Sequence, residues 1–209
     1  MTHSQNDTAK SYDKIAEKYE QQWAAYLKHT HHALFTELIT ESDDVILDVS
    51  CGTGLLAKYL VEYNFPFKKL ILNDISPKMQ QKAKQRLGDH PDVIFTQQDA
   101  SKLRLDGFEI NKILCLSAFH NYENQLKALQ RFFDLLQPEG RLYLLDWNST
   151  GWFRPVNWLI KRWVPEIINT QSLQETELLL EQAGFKTTRK MAWRFRYWKL
   201  FFVEAEKKR

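Results

Sequence analysis

The stretch Val45-Ile46-Leu47-Asp48-Val49-Ser50-Cys51-Gly52-Thr53-Gly54-Leu55-Leu56 decides how this chain folds. An apolar run rich in β-branched residues meets an acid, then a loop of small residues, then the start of a helical pattern. That is a buried parallel strand whose carboxyl end opens onto a glycine-rich turn, where an open α/β sheet holds its ligand. By spacing alone, Gly52-Thr53-Gly54-Leu55-Leu56-Ala57 satisfies the dinucleotide pattern G-x-G-x-x-G/A. Asp48 argues against a dinucleotide. A pyrophosphate wants backbone N–H groups and no nearby anion, whereas a carboxylate beside the loop suits a cationic ligand.

Apolar runs alternate with helical patterns on both sides of this stretch, as βαβ units require. Strands are expected at Val45–Ser50, Lys69–Asn73, Val93–Thr96, Ile110–Leu116 and Arg141–Trp147, with a last pair near Lys186–Ala192 and Tyr197–Ala205. No helix separates that last pair, so an antiparallel hairpin is expected at the end of an otherwise parallel sheet. Ser76 with Pro77 reads as a helix start and Gly88 as its stop. Ser172-Leu173-Gln174-Glu175 is a capping box, and Gly184 closes the helix that it opens. One or two helices are expected over Ala9–Ile39, outside the alternating core.

At 209 residues, with 44% hydrophobic and 26% charged residues, the chain suits one α/β domain with a sheet covered on both faces. We divide it into an N-terminal helical lid (1–40), a cofactor-binding core (41–147), an aromatic insert (148–170) and a C-terminal helix with a β-hairpin (171–209). A net charge of +3 is too small to argue for nucleic acid. Cys51 and Cys115 fall in or beside strands, which suits small buried residues in a reducing compartment. The polar start Met1–Asp7 leads us to expect no signal peptide, and no window approaches a membrane span. A cytoplasmic location is the expectation.

Three acids fall at carboxyl ends of adjacent parallel strands: Asp48, Asp74 and Asp99. Asp74 stands 20 residues past Gly54, where such folds often place an acid for a ribose diol. Asp99 is then left to accept from an exocyclic amine, and Gly52 and Gly54 let the backbone approach a ligand closely.

The motifs D-V-S-C-G-T-G (48–54), N-D-I-S-P-K-M (73–79), Q-Q-D-A (97–100), L-S-A-F-H-N (116–121) and L-Q-P-E-G-R-L (136–142) occur in that order. Together they make the chain resemble the class I S-adenosylmethionine-dependent methyltransferases. The similarity is closest to the small-molecule branch that includes the ubiquinone and menaquinone methyltransferases, and it runs from about Ser11 to the C-terminus. It implies a Rossmann-like, doubly wound α/β sheet of order 3-2-1-4-5-7-6 with the last strand antiparallel, N-terminal helices and an insert after the fifth strand. It also implies S-adenosylmethionine as cofactor. Asp48 and the loop Ser50, Cys51, Gly52 and Gly54 would hold its methionine end. Asp74 would take the ribose, Ile75 and Met79 the adenine face, Asp99 and Ala100 the adenine edge, and Ser117 the methionine through its backbone. Tyr12 and Tyr19 resemble lid tyrosines. Ser50 departs from the family's loop, which has glycine there. No metal is implied.

His120, beyond the fourth strand, is expected in the mouth of the crevice, as a general base or as a residue that orders its loop. Asp146 reads either as a second base or as a cap for the following turn. His29, His31 and His32 do not converge as a metal site would require. The insert Trp147–Val164 gathers four of the seven tryptophans. It reads as an apolar lid over the acceptor, as an interfacial helix with Lys161 and Arg162 outward, or as plain packing.

Methylation of a small, apolar or aromatic molecule is the leading expectation. A methyltransferase acting on protein or RNA is the first alternative; Leu116-Ser117-Ala118-Phe119 lacks the N/D-P-P-Y/F motif of base-methylating enzymes. A non-catalytic cofactor-binding subunit is the second. A small-molecule partner is expected, with no nucleic acid, no transmembrane segment and peripheral membrane contact left open.

Overall fold

The computed structural model describes residues 5–150 and 168–208. Two helices come first, α1 (Gln5–Ile15) and α2 (Tyr19–Phe35). The alternating core follows as β1 (Val45–Asp48), α3 (Leu55–Glu62), β2 (Lys69–Asn73), α4 (Pro77–Leu87) and β3 (Val93–Thr96). A 3-10 turn at Ala100–Lys102 leads to β4 (Ile110–Leu116), and another at Phe119–Asn121 leads to α5 (Gln125–Leu135) and β5 (Leu136–Trp147). Beyond the insert lie α6 (Leu173–Gln182), β6 (Phe185–Phe195) and β7 (Trp198–Lys207).

The sheet has the order β3-β2-β1-β4-β5-β7-β6. Its first five strands are parallel, and β7 runs antiparallel to both neighbours. This is the topology that the motif order implies. Successive residues of β1 enter opposite layers: Ile46 packs under α2 and α3, and Leu47 packs with α5 and α6. Both are fully buried. A strand covered on both faces has no reason to alternate apolar with polar, which is why Val45–Leu47 of β1, Leu70–Leu72 of β2 and Ile113–Leu116 of β4 read as continuous apolar runs.

Local signals set several element ends as expected. The Ser76 hydroxyl accepts from the Met79 N–H at 3.1 Å, and Ser172 with Glu175 closes a complete capping box. Strand limits differ from expectation in β1, β5 and the closing hairpin, whose strands run on to Phe195 and Lys207. β1 stops at Asp48 rather than Ser50, because the chain bends there toward β2 and Cys51 donates its N–H to the Asn73 carbonyl at 2.9 Å. β5 begins at Leu136 rather than Arg141, since its pairing with β4 resumes across a register shift at Ile110/Lys112. Pro138 and Gly140 stand inside that irregularity. In the last hairpin, Tyr197 belongs to the two-residue turn, with Arg196 at φ 53°.

The carboxyl ends of β1, β2 and β3 are stapled by one side chain. Asn73 donates from Nδ2 to the carbonyls of Val49 (2.9 Å) and Gln98 (3.0 Å), and its Oδ1 accepts from the Gln98 N–H at 2.9 Å. At the amino end of β1, Asp44 pairs with Lys112 of β4 and also accepts the Glu41 N–H at 2.6 Å. Among the described residues no helix is long and apolar enough to cross a membrane. Most of the aromatic insert, residues 151–167, lies outside the described residues, and with it Trp152, Trp158, Trp163, Lys161 and Arg162.

Candidate active site

Two adjoining chambers open at the carboxyl ends of β1, β2 and β4, where parallel strands release their loops. The one beside Asp74 and Met79, called the outer chamber, spans about 510 Å³ and the one beneath α2, called the inner chamber, about 430 Å³, open solvent included in both. Tyr19, Ser50, Gly52, Leu116 and Ser117 border both, so the two chambers are separated by little more than these side chains.

The outer chamber has Asp74, Ile75 and Met79 on one wall. Both Asp74 oxygens are oriented by backbone donors, Oδ2 by Gly52 N–H and Oδ1 by Ser76 N–H, each at 2.8 Å. Each carboxylate oxygen accepts more than one hydrogen bond, so a diol can still be received there. Burial pushes the Asp74 carboxyl up to about 6, against the lowering effect of those two bonds. In the inner chamber stands Asp48, whose Oδ2 is buried with no partner among the described residues. Burial first, and the charge of Asp74 second, push it up to about 8. Such a group waits for a donor or a cation.

The loop between them uses its two glycines differently. Both have left-handed backbone, φ 54° at Gly52 and 74° at Gly54, a region that costs other L-residues energy. A Cβ on Gly52 would meet no atom within 4 Å, so the backbone here faces open space where a ligand can lie. On Gly54 it would meet Ala83 Cβ at 3.0 Å and Cα at 3.1 Å, so that glycine lets α3 start against α4 and lines neither chamber. Cys51 lines the inner chamber, where burial and the charges of Asp74 and Asp48 hold its thiol far above the range of a reactive thiolate. Ser50, standing where the family has glycine, hydrogen-bonds the Tyr122 hydroxyl at 2.9 Å. The serine thus ties the glycine loop to the segment after β4.

Helices α1 and α2 roof the site. Tyr12 and Tyr19 meet edge to face at 6.1 Å, and the Tyr12 hydroxyl accepts from Asn121 Nδ2 at 2.9 Å. Asp13 accepts from the Ser76 hydroxyl (2.6 Å) and the Lys78 N–H (3.1 Å), which pins α1 to the start of α4. Arg86 reaches from α4 to Glu20 of α2 and donates to the Thr53 carbonyl at 2.7 Å. Burial opposes ionisation of Glu20, yet the bonds from Thr53 and Arg86 outweigh it and hold the carboxyl below its ordinary range.

Ser117 has left-handed backbone (φ 53°) directly after β4. Its N–H donates to the Leu145 carbonyl at 2.7 Å and its hydroxyl meets that of Tyr26 at 2.8 Å, which in turn accepts from Trp147 Nε1 at 2.9 Å. His120 lies deeper than the mouth of the crevice. It is buried and borders neither chamber. Asp146 holds it twice, through His120 N–H at 2.8 Å and Nδ1 at 2.6 Å, and Trp147 stacks on its ring at 4.0 Å. Asp99 lines a neighbouring pocket that shares Gln5 and Tyr122 with the outer chamber. Its Oδ1 accepts from the Ser101 N–H and hydroxyl, capping the 3-10 turn, and neither it nor Ala100 borders a chamber. Among the three histidines of α2, His29 accepts from Trp193 Nε1 at 2.8 Å and stacks on Phe195, while His31 turns into the inner chamber.

Residues that sequence reasoning did not assign to a ligand site complete the walls, His31 among them, which it weighed only as a metal ligand. Gln5, Thr8, Asn121 and Tyr122 border the outer chamber; Thr30, His31 and Thr53 border the inner one. For α2 a signal existed. Leu27, Thr30, His31 and Leu34 share one helical face, and all four are buried.

These features fit S-adenosylmethionine. An unpartnered buried carboxylate, a second acid set for a diol, and a glycine backbone open to the cavity suit a cationic adenosyl ligand without phosphate. Seven strands in this order with these acids at their ends define a class I, S-adenosylmethionine-dependent methyltransferase architecture. The methyltransferase-domain family matches residues 15–190, and the chain belongs to it. Among curated relatives it is similar to malonyl-[acyl-carrier protein] O-methyltransferase 1 of Ilyobacter polytropus, 29% identical over 108 residues (52% of this chain, 40% of the relative). It is likewise similar to the ubiquinone/menaquinone biosynthesis C-methyltransferase UbiE of Hahella chejuensis, 28% identical over 160 residues (71% and 63%). The chain thus spans less than two thirds of these relatives' length. Among solved structures, an S-adenosylmethionine-dependent methyltransferase from Mesorhizobium loti superposes with a TM-score of 0.71 over 84% of this chain and 96% of that one, at 15% identity. That likeness is one of fold.

Proposed function

We propose that this protein transfers the methyl group of S-adenosylmethionine to a small, apolar or aromatic acceptor. The observation that carries the reading is the pair Asp48 and Asp74 flanking Gly52, with an unpartnered buried oxygen on Asp48. When bound, the cofactor supplies an activated methyl on a sulfonium. The protein's share is to position it and keep water out. Asp74 receives the ribose hydroxyls, Ile75 and Met79 flank the adenine, and the backbone at Gly52 lies along the chain between them. Tyr12 and Tyr19, carried on α1 and α2, close the site as a lid. A small, aromatic acceptor is supported by the relative named for ubiquinone/menaquinone biosynthesis, whereas the other is named for an acyl group carried on a protein.

His120 and Asp146 serve this site as positioning residues rather than as an acid–base pair. The doubly bonded His120 fixes the turn that presents Ser117, Ala118, Asn121 and Tyr122 to the outer chamber. The two free, buried cysteines support a cytoplasmic location.

Calorimetry with S-adenosylmethionine tests the assignment. Asp74→Ala removes the acceptor for both ribose hydroxyls and should weaken binding by roughly ten- to hundredfold. Unchanged affinity would overturn the site. Transfer of a labelled methyl group to quinol, phenol or acyl-thioester acceptors then separates an enzyme from a cofactor-binding subunit that turns nothing over.

A further inference from the structure

Three acids of the lid face α4 across a seam on the outside of the site. Asp13 lies on α1, Glu17 in the link behind it and Glu20 in the first turn of α2. They meet Lys78 through its N–H, and Lys82 and Arg86 through their side chains. Those three residues stand four apart and so share one face of α4. The contacts are not equal. Glu17 pairs with Lys82 at 2.9 Å, but the Glu17 side chain is 82% exposed, and a pair so solvated holds little. The Glu20 side chain is 34% exposed and that of Arg86 24%. Arg86 Nη2 reaches both Glu20 oxygens, at 2.8 and 3.1 Å. Of the two ion pairs, this is the one with the geometry and the shelter to matter.

The same guanidinium also reaches the glycine loop. Its Nη1 donates to the Thr53 carbonyl at 2.7 Å and to the Thr53 hydroxyl at 3.1 Å. Thr53 stands between Gly52 and Gly54, 2% exposed, on the wall of the inner chamber. Its hydroxyl bonds Glu20 in turn. Glu20, Arg86 and Thr53 thus close a triangle that joins the lid, α4 and the glycine loop. Neither Glu20 nor Arg86 borders a chamber. Tyr19, the residue before Glu20, borders both. A lid that parts from Arg86 therefore carries Tyr19 away from the site. At the other end of α4, Asp13 takes the Ser76 hydroxyl at 2.6 Å, and the Ser76 N–H holds Asp74 at 2.8 Å. The lid is fastened at both ends of one helix.

We propose that Arg86 is a positioning residue that latches α2 to the glycine loop, and that parting of the Glu20–Arg86 pair is the step that lets the cofactor leave. The inference rests on the S-adenosylmethionine reading above, but it assigns the cofactor's residence time to two groups that touch no ligand. Arginine suits the task and lysine does not. A planar guanidinium offers donors in fixed directions, so one side chain serves a carboxylate and a carbonyl together. Because the pair is partly exposed, dissolved salt weakens it.

Surface plasmon resonance, with the full chain immobilised and S-adenosylmethionine flowed over it, separates association from release. Glu20→Ala should speed release by roughly five- to thirtyfold and change association by less than about twofold. Glu17→Ala removes only the exposed pair and should leave release at the unaltered rate. Arg86→Lys keeps the charge without the fork and should show most of the acceleration seen in Glu20→Ala. The double variant should be no faster than Glu20→Ala, since both changes open one latch. Higher ionic strength should speed release from the unaltered chain but not from Glu20→Ala. A general loss of packing would instead lower the fraction of chains that bind and leave the release rate of the rest alone. An unchanged release rate in Glu20→Ala or in Arg86→Lys overturns the proposal. So does equal acceleration by Glu17→Ala, or a double variant in which the two effects multiply. Failure of the unaltered chain to bind S-adenosylmethionine overturns the cofactor reading itself and this inference with it, whereas normal binding with unchanged release overturns the latch alone.

Discussion

Asp48 and Asp74 show how one residue type takes different states from its surroundings. Both carboxyls are raised, to about 8 and about 6, by burial first. An acid whose folded value exceeds its unfolded value holds a proton in the folded chain that the unfolded chain has lost. The sign follows: the ligand-free protein is stabilised by that proton at low pH, and the contribution fades as pH rises from about 4 to about 8. Binding of a cation works in the opposite sense, since it selects the charged form and expels the proton. Affinity for S-adenosylmethionine should therefore rise between pH 6 and 8, by at most about tenfold per pH unit for one proton. Calorimetry in two buffers of different ionisation enthalpy should detect proton release. Asp48→Asn should remove most of that release, and a pH-independent affinity would contradict the assignment. The acids were legible because each sits at a strand end that local sequence defines. Asp99 was equally legible as an acid at a strand end, but not its occupation by Ser101, which only the turn that follows decides.

At the scale of elements, the loop between β1 and α3 separates two jobs that one motif conceals. Gly54 makes room for α4, whereas Gly52 makes room for a ligand. Gly54→Ala combines left-handed backbone with a methyl pressed on Ala83 and should cost about 2–4 kcal/mol of stability. Gly52→Ala carries the backbone cost alone, about 1–2 kcal/mol. Its methyl enters the open space, so the loss of cofactor affinity should exceed that of the other variant. Urea unfolding and calorimetry on the same two proteins measure both; identical profiles would show that the glycines share a single role. The glycine pattern was readable, but its division of labour depends on Ala83, 29 residues away on another helix.

The whole molecule keeps stability and binding at opposite ends of one sheet. The chambers lie at the carboxyl ends of the strands, and the buried Asp44–Lys112 pair ties β1 to β4 near their amino ends. Lys112→Met leaves Asp44 buried and uncompensated and should cost about 3–5 kcal/mol. Cofactor affinity, measured well below the lowered melting temperature, should stay within about twofold of the unaltered chain. A marked fall in affinity would mean that the two ends are coupled. What the sequence alone determined was the order of elements, the parallel core with its closing hairpin, and the acids at strand ends. Apolar runs, helix caps and loop glycines act over a few residues, so their meaning can be read in place. Only the tertiary structure decided where His31, Asn121, Tyr122 and His120 face. Those side chains are aimed by partners far along the chain: Tyr12 for Asn121, Ser50 for Tyr122, Asp146 and Trp147 for His120. A side chain that leaves a loop or a lid helix has no periodic pattern to reveal its direction, and packing across the fold supplies it.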